Sequence, residues 1–279
     1  MAADGYELLD AGDGRRLERF GARIVDRPAP SATGPRLGDF HAWRRADLRF
    51  EGAGAGWFGE PDAQEPWSIS IEGLTLELRP TSSGGLGAYP EHAANLAWVA
   101  ARVRERAEAS SEPPQVLNLF AHTGLVTLAA ARAGAAVAHV DASKGAVDWA
   151  RRNAALSGLD AAPVRWLVDD ALGLVGREAR RGRRYDGIVL DPPSFGRAGR
   201  RQWKLADELP ALLAACGDLV ADDAFVLLTA HTTGLDGFEL QAALQDALGG
   251  GRPFTVARLA LEAASGAHLE LGWSVRRSG

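Results

Sequence analysis

Between residues 1 and 88 the apolar positions fall in short runs of period two. In "WSISIEGLTLELRP", Trp67, Ile69 and Ile71, then Leu74, Leu76 and Leu78, recur at every second position on either side of Glu72-Gly73. That predicts a hairpin, because alternate side chains of a strand share a face and a glycine suits the tight turn. "ERFGARIVDRP" has the same alternating character, while Pro28, Pro30, Pro35 and the run "EGAGAGWFGEP" punctuate the rest. The reading for residues 1–88 is a small β-rich N-terminal module.

From residue 89 the pattern changes. Pro90 suits a helix start, and Leu96, Val99, Ala100 and Val103 form an apolar stripe at helical spacing. Next come a strand "VLNLF", a helix "LVTLAAARAG", a strand "AVAHVDA", a helix "GAVDWARRNAALSG" and a strand "VRWLVDD". A helix over 172–181, the strand "GIVLDPP", the helix "LPALLAACGDLV", the strand "AFVLLTAH" and the helix "FELQAALQDALG" follow. "FTVARLALEA" and "AHLELGWSVRR" close the series as a β pair. Strands alternating with helices predict an α/β fold over residues 89–279. The expected core is a doubly wound, mostly parallel seven-stranded sheet with an antiparallel C-terminal edge.

Composition narrows the chemistry. The chain of 279 residues has ample apolar material for such a core, and its single cysteine, Cys216, excludes an internal disulfide. No Cys/His spacing suggests a zinc site, so no metal is expected. Cys216 lies among leucines and alanines of a predicted helix and reads as a core residue. With no basic start followed by an apolar run, and no stretch long enough to span a bilayer, the expectation is a soluble cytoplasmic protein without a membrane partner. A net charge of -5 argues against nonspecific coating of nucleic acid. Lys144 and Lys204 are the only lysines, and arginines crowd between Arg177 and Arg201. Their planar forks suit phosphate, although a solvated, arginine-biased surface explains them equally well at this stage.

In an open α/β sheet, ligands bind beyond the carboxyl ends of the strands, so the residues after each strand carry the chemistry. After the first strand, "NLFAHTGLVT" places Gly124 at a helix start whose amides can face a polar ligand. After the second comes Asp141, about twenty residues on, where an acid can take two ribose hydroxyls. The third strand ends in Asp169-Asp170-Ala171, and the fourth in "DPPSF", where Pro192 and Pro193 cannot continue a central strand. A dinucleotide site would want three glycines as GxGxxG, and this loop has one. A nucleoside cofactor without a pyrophosphate fits better, and S-adenosylmethionine is such a cofactor.

The motifs "GAYPEH", "LNLFAHTG", "VDASKGAVDWARRN", "VDDAL" and "LDPPSFG" stand in a recognisable order. From about Tyr89 onward the chain resembles the class I S-adenosylmethionine-dependent methyltransferases with a Rossmann-like sheet. Within them it resembles the bacterial large-subunit ribosomal RNA methyltransferases acting on cytosine carbon 5 or guanine nitrogen 7. The resemblance implies that Asn118, Phe120, Ala121, Thr123 and Gly124 shape the methionine side. It implies ribose binding by Asp141 with Ala142 and Ser143, adenine recognition by Asp169, Asp170 and Ala171, and a methyl-transfer site at Asp191, Pro192, Pro193 and Phe195, with Asp191 touching cofactor as well.

Two departures shape the expected reaction. The cytosine branch uses a cysteine after the fifth strand, and this chain has Thr232 in that place; where the family carries an arginine near the first helix, it has Ala93. Direct transfer to a planar base nitrogen is therefore expected, on ribosomal RNA, with a protein side chain or a small molecule as the alternative substrate. A cofactor- and RNA-binding module without catalysis is the alternative of another class. His122 reads as a packing residue of the cofactor loop, His231 as lining the substrate pocket, and Trp203 as a loop aromatic able to meet substrate.

Overall fold

The computed structural model describes residues 5–198, 201–232, 234–249 and 251–279. These fall into two compact units. The first holds the described residues up to Ala93 together with Leu259–Leu271, and the second holds Ala94–Arg258 and Gly272–Gly279. No described helix is long and apolar enough to cross a membrane.

In the first unit, β1 (Tyr6–Gly12), β2 (Arg15–Phe20) and β3 (Arg23–Pro28) form an antiparallel meander. A short helix α1 (Phe40–Arg44) leads to β4 (Leu48–Phe50), which pairs parallel to β3, and β5 (Trp57–Gly59) completes a five-stranded sheet. After the single turn α2 (Pro61–Gln64) comes the expected hairpin of β6 (Trp67–Ile71) and β7 (Leu74–Leu78). Glu72 and Gly73 both take positive φ, 50° and 72°, the twist that lets two strands reverse in two residues. Ile69, Ile71, Leu74, Leu76 and Leu78 are all buried, as their period-two spacing demands. Charge is also buried: Arg27 donates twice to Glu18, at 2.5 and 3.0 Å, and the Tyr6 hydroxyl donates to the same carboxylate at 3.0 Å. Burial that would be costly for either ion alone is thereby compensated.

The sequence pattern divides the chain at 88, whereas this unit runs to Ala93 and recruits 259–271 from the C-terminal β pair. Ala263, Ala267 and Leu269 pack with Leu8, Ala11, Ala29 and Ala32. Ser265 donates its hydroxyl to the buried Asp10 at 2.6 Å, and the Trp43 indole donates to that carboxylate at 2.9 Å.

From Ala93 the chain continues through α3 (Ala93–Ala109), β8 (Gln115–Leu119), α4 (Leu125–Arg132), β9 (Ala136–Asp141), α5 (Lys144–Leu156), β10 (Val164–Val168), α6 (Ala171–Arg180) and β11 (Tyr185–Leu190). A hairpin of β12 (Phe195–Ala198) and β13 (Arg201–Lys204) intervenes before α7 (Leu205–Gly217), β14 (Val220–Ala230), α8 (Gly237–Leu248), β15 (Phe254–Glu262) and β16 (His268–Arg277). The seven-stranded sheet has the order β10-β9-β8-β11-β14-β16-β15. Its first five strands are parallel, and β16 joins β14 antiparallel, giving the expected antiparallel edge.

Alternation along each strand builds two cores. Leu117, Leu119, Ile188, Leu190, Val226 and Leu228 pack on one face with Leu174, Val175, Leu209, Leu212 and Leu240 from α6, α7 and α8. The intervening Val116, Val189, Phe225 and Leu227 pack on the other face with Val99 and Val103 of α3 and Ala130 of α4. Both faces are covered, so these strands read as nearly continuous apolar runs. Cys216 is 2% exposed within the first of these cores, and burial pushes its thiol up to about 12.

Candidate functional site

The strand order reverses at β8: the chain moves from β8 outward through β9 to β10, then returns to place β11 on the other side of β8. A crevice opens beyond the strand ends at such a reversal. The turn after β8 lies at that place. Phe120 and His122 hold φ of 56° and 45°, and Gly124 holds 91°. Left-handed backbone costs a non-glycine residue about 1–3 kcal/mol, so the two side chains are kept there by surrounding bonds. Those bonds are Ala121 N–H to the Val140 carbonyl at 3.0 Å, His122 N–H to Asp141 Oδ2 at 2.9 Å, and Asn153 Nδ2 to the Thr123 carbonyl at 2.9 Å. A Cβ on Gly124 would stand 3.0 Å from that of Ala150, so glycine satisfies both the turn and the helix packing. The first turn of α4 then begins without a side-chain cap, leaving its amides for another acceptor.

Beneath this turn runs a buried polar chain. Asn118 Nδ2 donates to Thr127 Oγ1 at 2.9 Å, and Thr127 Oγ1 lies 2.9 Å from His139 Nδ1. Thr127 Oγ1 thus bridges the Asn118 amide and the His139 ring, its two lone pairs and one proton serving both partners. Burial, aided by repulsion from His122 and Arg151, drives His139 down to about 3. Asn118 thus supports the turn from below. His122 is also lowered by burial, against the opposing pull of Asp141 and Asp191.

Asp141 ends β9, half-exposed, with one oxygen accepting from His122 N–H and the other from Ser143 N–H at 2.8 Å. A carboxylate offers about four lone-pair sites, so both oxygens retain capacity toward a diol. Ala142 is exposed beside it, and Ser143 caps α5 by accepting from Ala146 N–H. At the end of β10, Asp169 pairs with Arg177 and accepts from the Asp170 amide. Asp170 Oδ2 accepts from Gly173 N–H at 2.8 Å and caps α6, whose first residue, Ala171, is buried. The two acids and Ala171 therefore stand at one strand end, with one oxygen of Asp170 committed to its helix.

Asp191 continues β11, its amide reaching the Leu119 carbonyl at 3.4 Å. Thr229, from β14, donates to Asp191 Oδ1 at 2.5 Å, and His231 Nε2 lies 3.4 Å from the same oxygen. Thr229 reads in sequence as one more β-former in an apolar strand, and no signal there marks it as a partner of the acid. Pro192 is buried, Pro193 is exposed, and Phe195 is 75% exposed. Ser194 Oγ and Thr232 Oγ1 share a hydrogen bond at 2.7 Å.

Trp203 differs from its sequence reading. It lies in β13 rather than in a loop, is buried, donates its indole N–H to the Pro193 carbonyl at 2.7 Å, and packs on Phe120 with ring centroids 4.9 Å apart. A short strand whose partner presents Phe195 outward sends this indole inward, so it anchors the hairpin instead of meeting substrate. Arg200, part of the arginine run, lies outside the described residues.

A glycine turn with open helix amides, an acid on the neighbouring strand, two acids on the next, and an Asp-Pro-Pro-Ser-Phe end across the reversal fit a nucleoside cofactor that carries a polar tail. Fold and site define a class I methyltransferase. The chain belongs to the S-adenosylmethionine-dependent methyltransferase family, whose sequence model matches residues 17–228. The crystal structure of the SAM-dependent methyltransferase from Agrobacterium tumefaciens is 33% identical, with a TM-score of 0.91 over 98% of this chain and 90% of that one. The ribosomal RNA large subunit methyltransferase I of Aeromonas hydrophila is 37% identical over 114 residues, 40% of this chain and 26% of that protein. Ribosomal RNA large subunit methyltransferase K of Neisseria meningitidis serogroup B is 36% identical over 126 residues, 42% of this chain and 36% of that protein. The matches thus span well under half the length of either curated relative.

Proposed function

We propose that the protein methylates ribosomal RNA at a base nitrogen. The observation that carries this reading is the arrangement of Asp191 and Phe195 on the two sides of the double proline, with an exposed aromatic beside an acid held by Thr229. Bound S-adenosylmethionine supplies an electrophilic methyl group. The chain's own residues do the rest. Asp191 and the Pro192 carbonyl accept hydrogen bonds from an amino or imino group and so turn its lone pair toward the methyl. Phe195 stacks on the base, an interaction worth roughly 1 to 3 kcal/mol. Alignment supplies most of the rate, because the nucleophile needs little acid or base help. A base within a paired segment must first leave its stack.

The cofactor roles follow the strand ends. Asn118, through Thr127, shapes the turn of Phe120, Ala121, Thr123 and Gly124 around the methionine tail. Asp141 takes the ribose hydroxyls with Ala142 and Ser143 alongside, and Asp169, Asp170 and Ala171 border adenine. The N-terminal unit grips the substrate, and the reading places the protein in the cytoplasm.

Attack on cytosine carbon 5 requires a thiolate, and the single cysteine is buried with its thiol raised to about 12. Thr232, where the family cysteine would align, is engaged with Ser194. Both facts support nitrogen. The names of the relatives from Aeromonas and Neisseria support ribosomal RNA. Mass spectrometry of ribosomal RNA nucleosides from a deletion strain tests the reading: one methylated base should disappear and return on complementation, and an unchanged profile rejects the RNA substrate.

A further inference from the structure

Resting on the RNA reading above, we infer a second RNA contact at the opposite end of the sheet: the turn between α6 and β11 binds phosphates through Arg180, Arg183 and Arg184. Helix α6 starts at the Asp170 cap beside the strand-end site and ends at Arg180, and in a parallel sheet its far end lies at the amino edge of the strands. Ten residues at 1.5 Å each separate the two by about 15 Å. The sequence there is "REARRGRR", residues 177–184.

Two of its arginines have structural duties. Arg177 pairs with Asp169, and Arg181 bonds the buried Glu178 at 3.0 Å, which also accepts the Tyr185 hydroxyl at 2.7 Å. The other three are exposed, and among the described residues they enter no ion pair. A helix C-terminus presents only about half a negative charge, which Arg177 and Arg181 already answer. Arg183 and Arg184 lie beyond the helix altogether. Three unpaired cations within five residues repel one another, and the repulsion is relieved by a polyanion whose oxygens match guanidinium forks.

The occupant is RNA rather than an anionic membrane, since residues 177–184 include no exposed large apolar side chain to enter a bilayer. At about 3.4 Å per nucleotide along a strand, 15 Å corresponds to roughly four or more nucleotides from the target base. The surface therefore grips the flanking backbone and carries no base specificity.

The test compares wild type with Arg180→Gln/Arg183→Gln/Arg184→Gln, which spares the arginines that support Asp169 and Glu178. Binding to protein-free bacterial large-subunit ribosomal RNA is measured across a salt series, with calorimetric cofactor binding confirming that the variant is folded. The log–log salt slope should fall by about 2 in magnitude, from three lost contacts at about 0.7 each, with cofactor affinity unchanged. Equal RNA affinity and slope in the variant overturns this inference alone. Loss of binding to phosphatidylserine vesicles with RNA binding intact overturns it too. Wild type that neither binds nor methylates the RNA overturns the RNA reading itself.

Discussion

Trp203 and Phe120 pack with ring centroids 4.9 Å apart, joining the hairpin that follows the double proline to the strained turn after β8. The Trp203 indole also holds the Pro193 carbonyl. One side chain thus braces both the Asp-Pro-Pro-Ser-Phe end and the turn after β8. Trp203→Phe keeps a ring on Phe120 but removes the donor, and should cost about 1 kcal/mol of stability with roughly a tenfold loss of kcat/KM. Trp203→Ala should cost more in both. Thermal melts and steady-state kinetics check this, and wild-type kcat/KM in the phenylalanine variant would contradict it.

Asp141 braces the turn through His122 N–H, and the proposed function gives it the ribose diol as well. Hydrogen bonds to a charged group contribute about 1.5–3 kcal/mol each, so Asp141→Ala should weaken S-adenosylmethionine binding by more than about a hundredfold. Asp141→Asn should lose less. Calorimetry measures both, and near-normal affinity in the alanine variant would exclude Asp141 from the cofactor site.

In the proposed reaction Thr229 acts through Asp191. Thr229→Val removes the donor at 2.5 Å and lets the carboxylate turn, lowering kcat about tenfold while cofactor affinity stays within twofold of wild type. Asp191→Ala should lower kcat by about a hundredfold. An effect of Thr229→Val on cofactor affinity alone would point to a different role.

Much of this was legible in the chain. Strands such as "VLNLF" and "AVAHVDA" alternating with helices predict the doubly wound sheet, and the Glu72-Gly73 pair predicts the hairpin turn found there. Strand ends bring Asp141, Asp170 and Asp191 to one side because parallel strands share a direction. Other features carry no local signal. "FGRAGRRQWK" is polar and glycine-rich, so the β12–β13 hairpin and its buried tryptophan read as a loop. The pairing of Thr229 with Asp191, and of Thr127 with Asn118 and His139, depends on which strands and helices become neighbours. The recruitment of 259–271 into the first unit depends on packing of alanines that look ordinary in sequence.

The neutral, buried His139 makes the second unit acid-sensitive. Its folded value of about 3 lies below the unfolded value near 6.5, so the unfolded chain takes a proton that the folded chain refuses. This contribution is present in full above pH 6.5 and is lost progressively as pH falls toward 3, amounting to about 2 kcal/mol by pH 5. Denaturant titrations at pH 7 and pH 5 should show that loss in wild type and a smaller one in His139→Gln. An identical pH dependence in the two would refute the assignment.

Methyl transfer to a base nitrogen of ribosomal RNA is open to direct assay. Its most direct measurement is transfer from methyl-labelled S-adenosylmethionine to large-subunit ribosomal RNA isolated from the deletion strain, followed by nucleoside mass spectrometry. One labelled nucleoside carrying the methyl on a ring or exocyclic nitrogen is expected, with none formed by Asp191→Ala on the same timescale. Label on cytosine carbon 5, or no label in RNA from a wild-type enzyme that binds the cofactor, would contradict it.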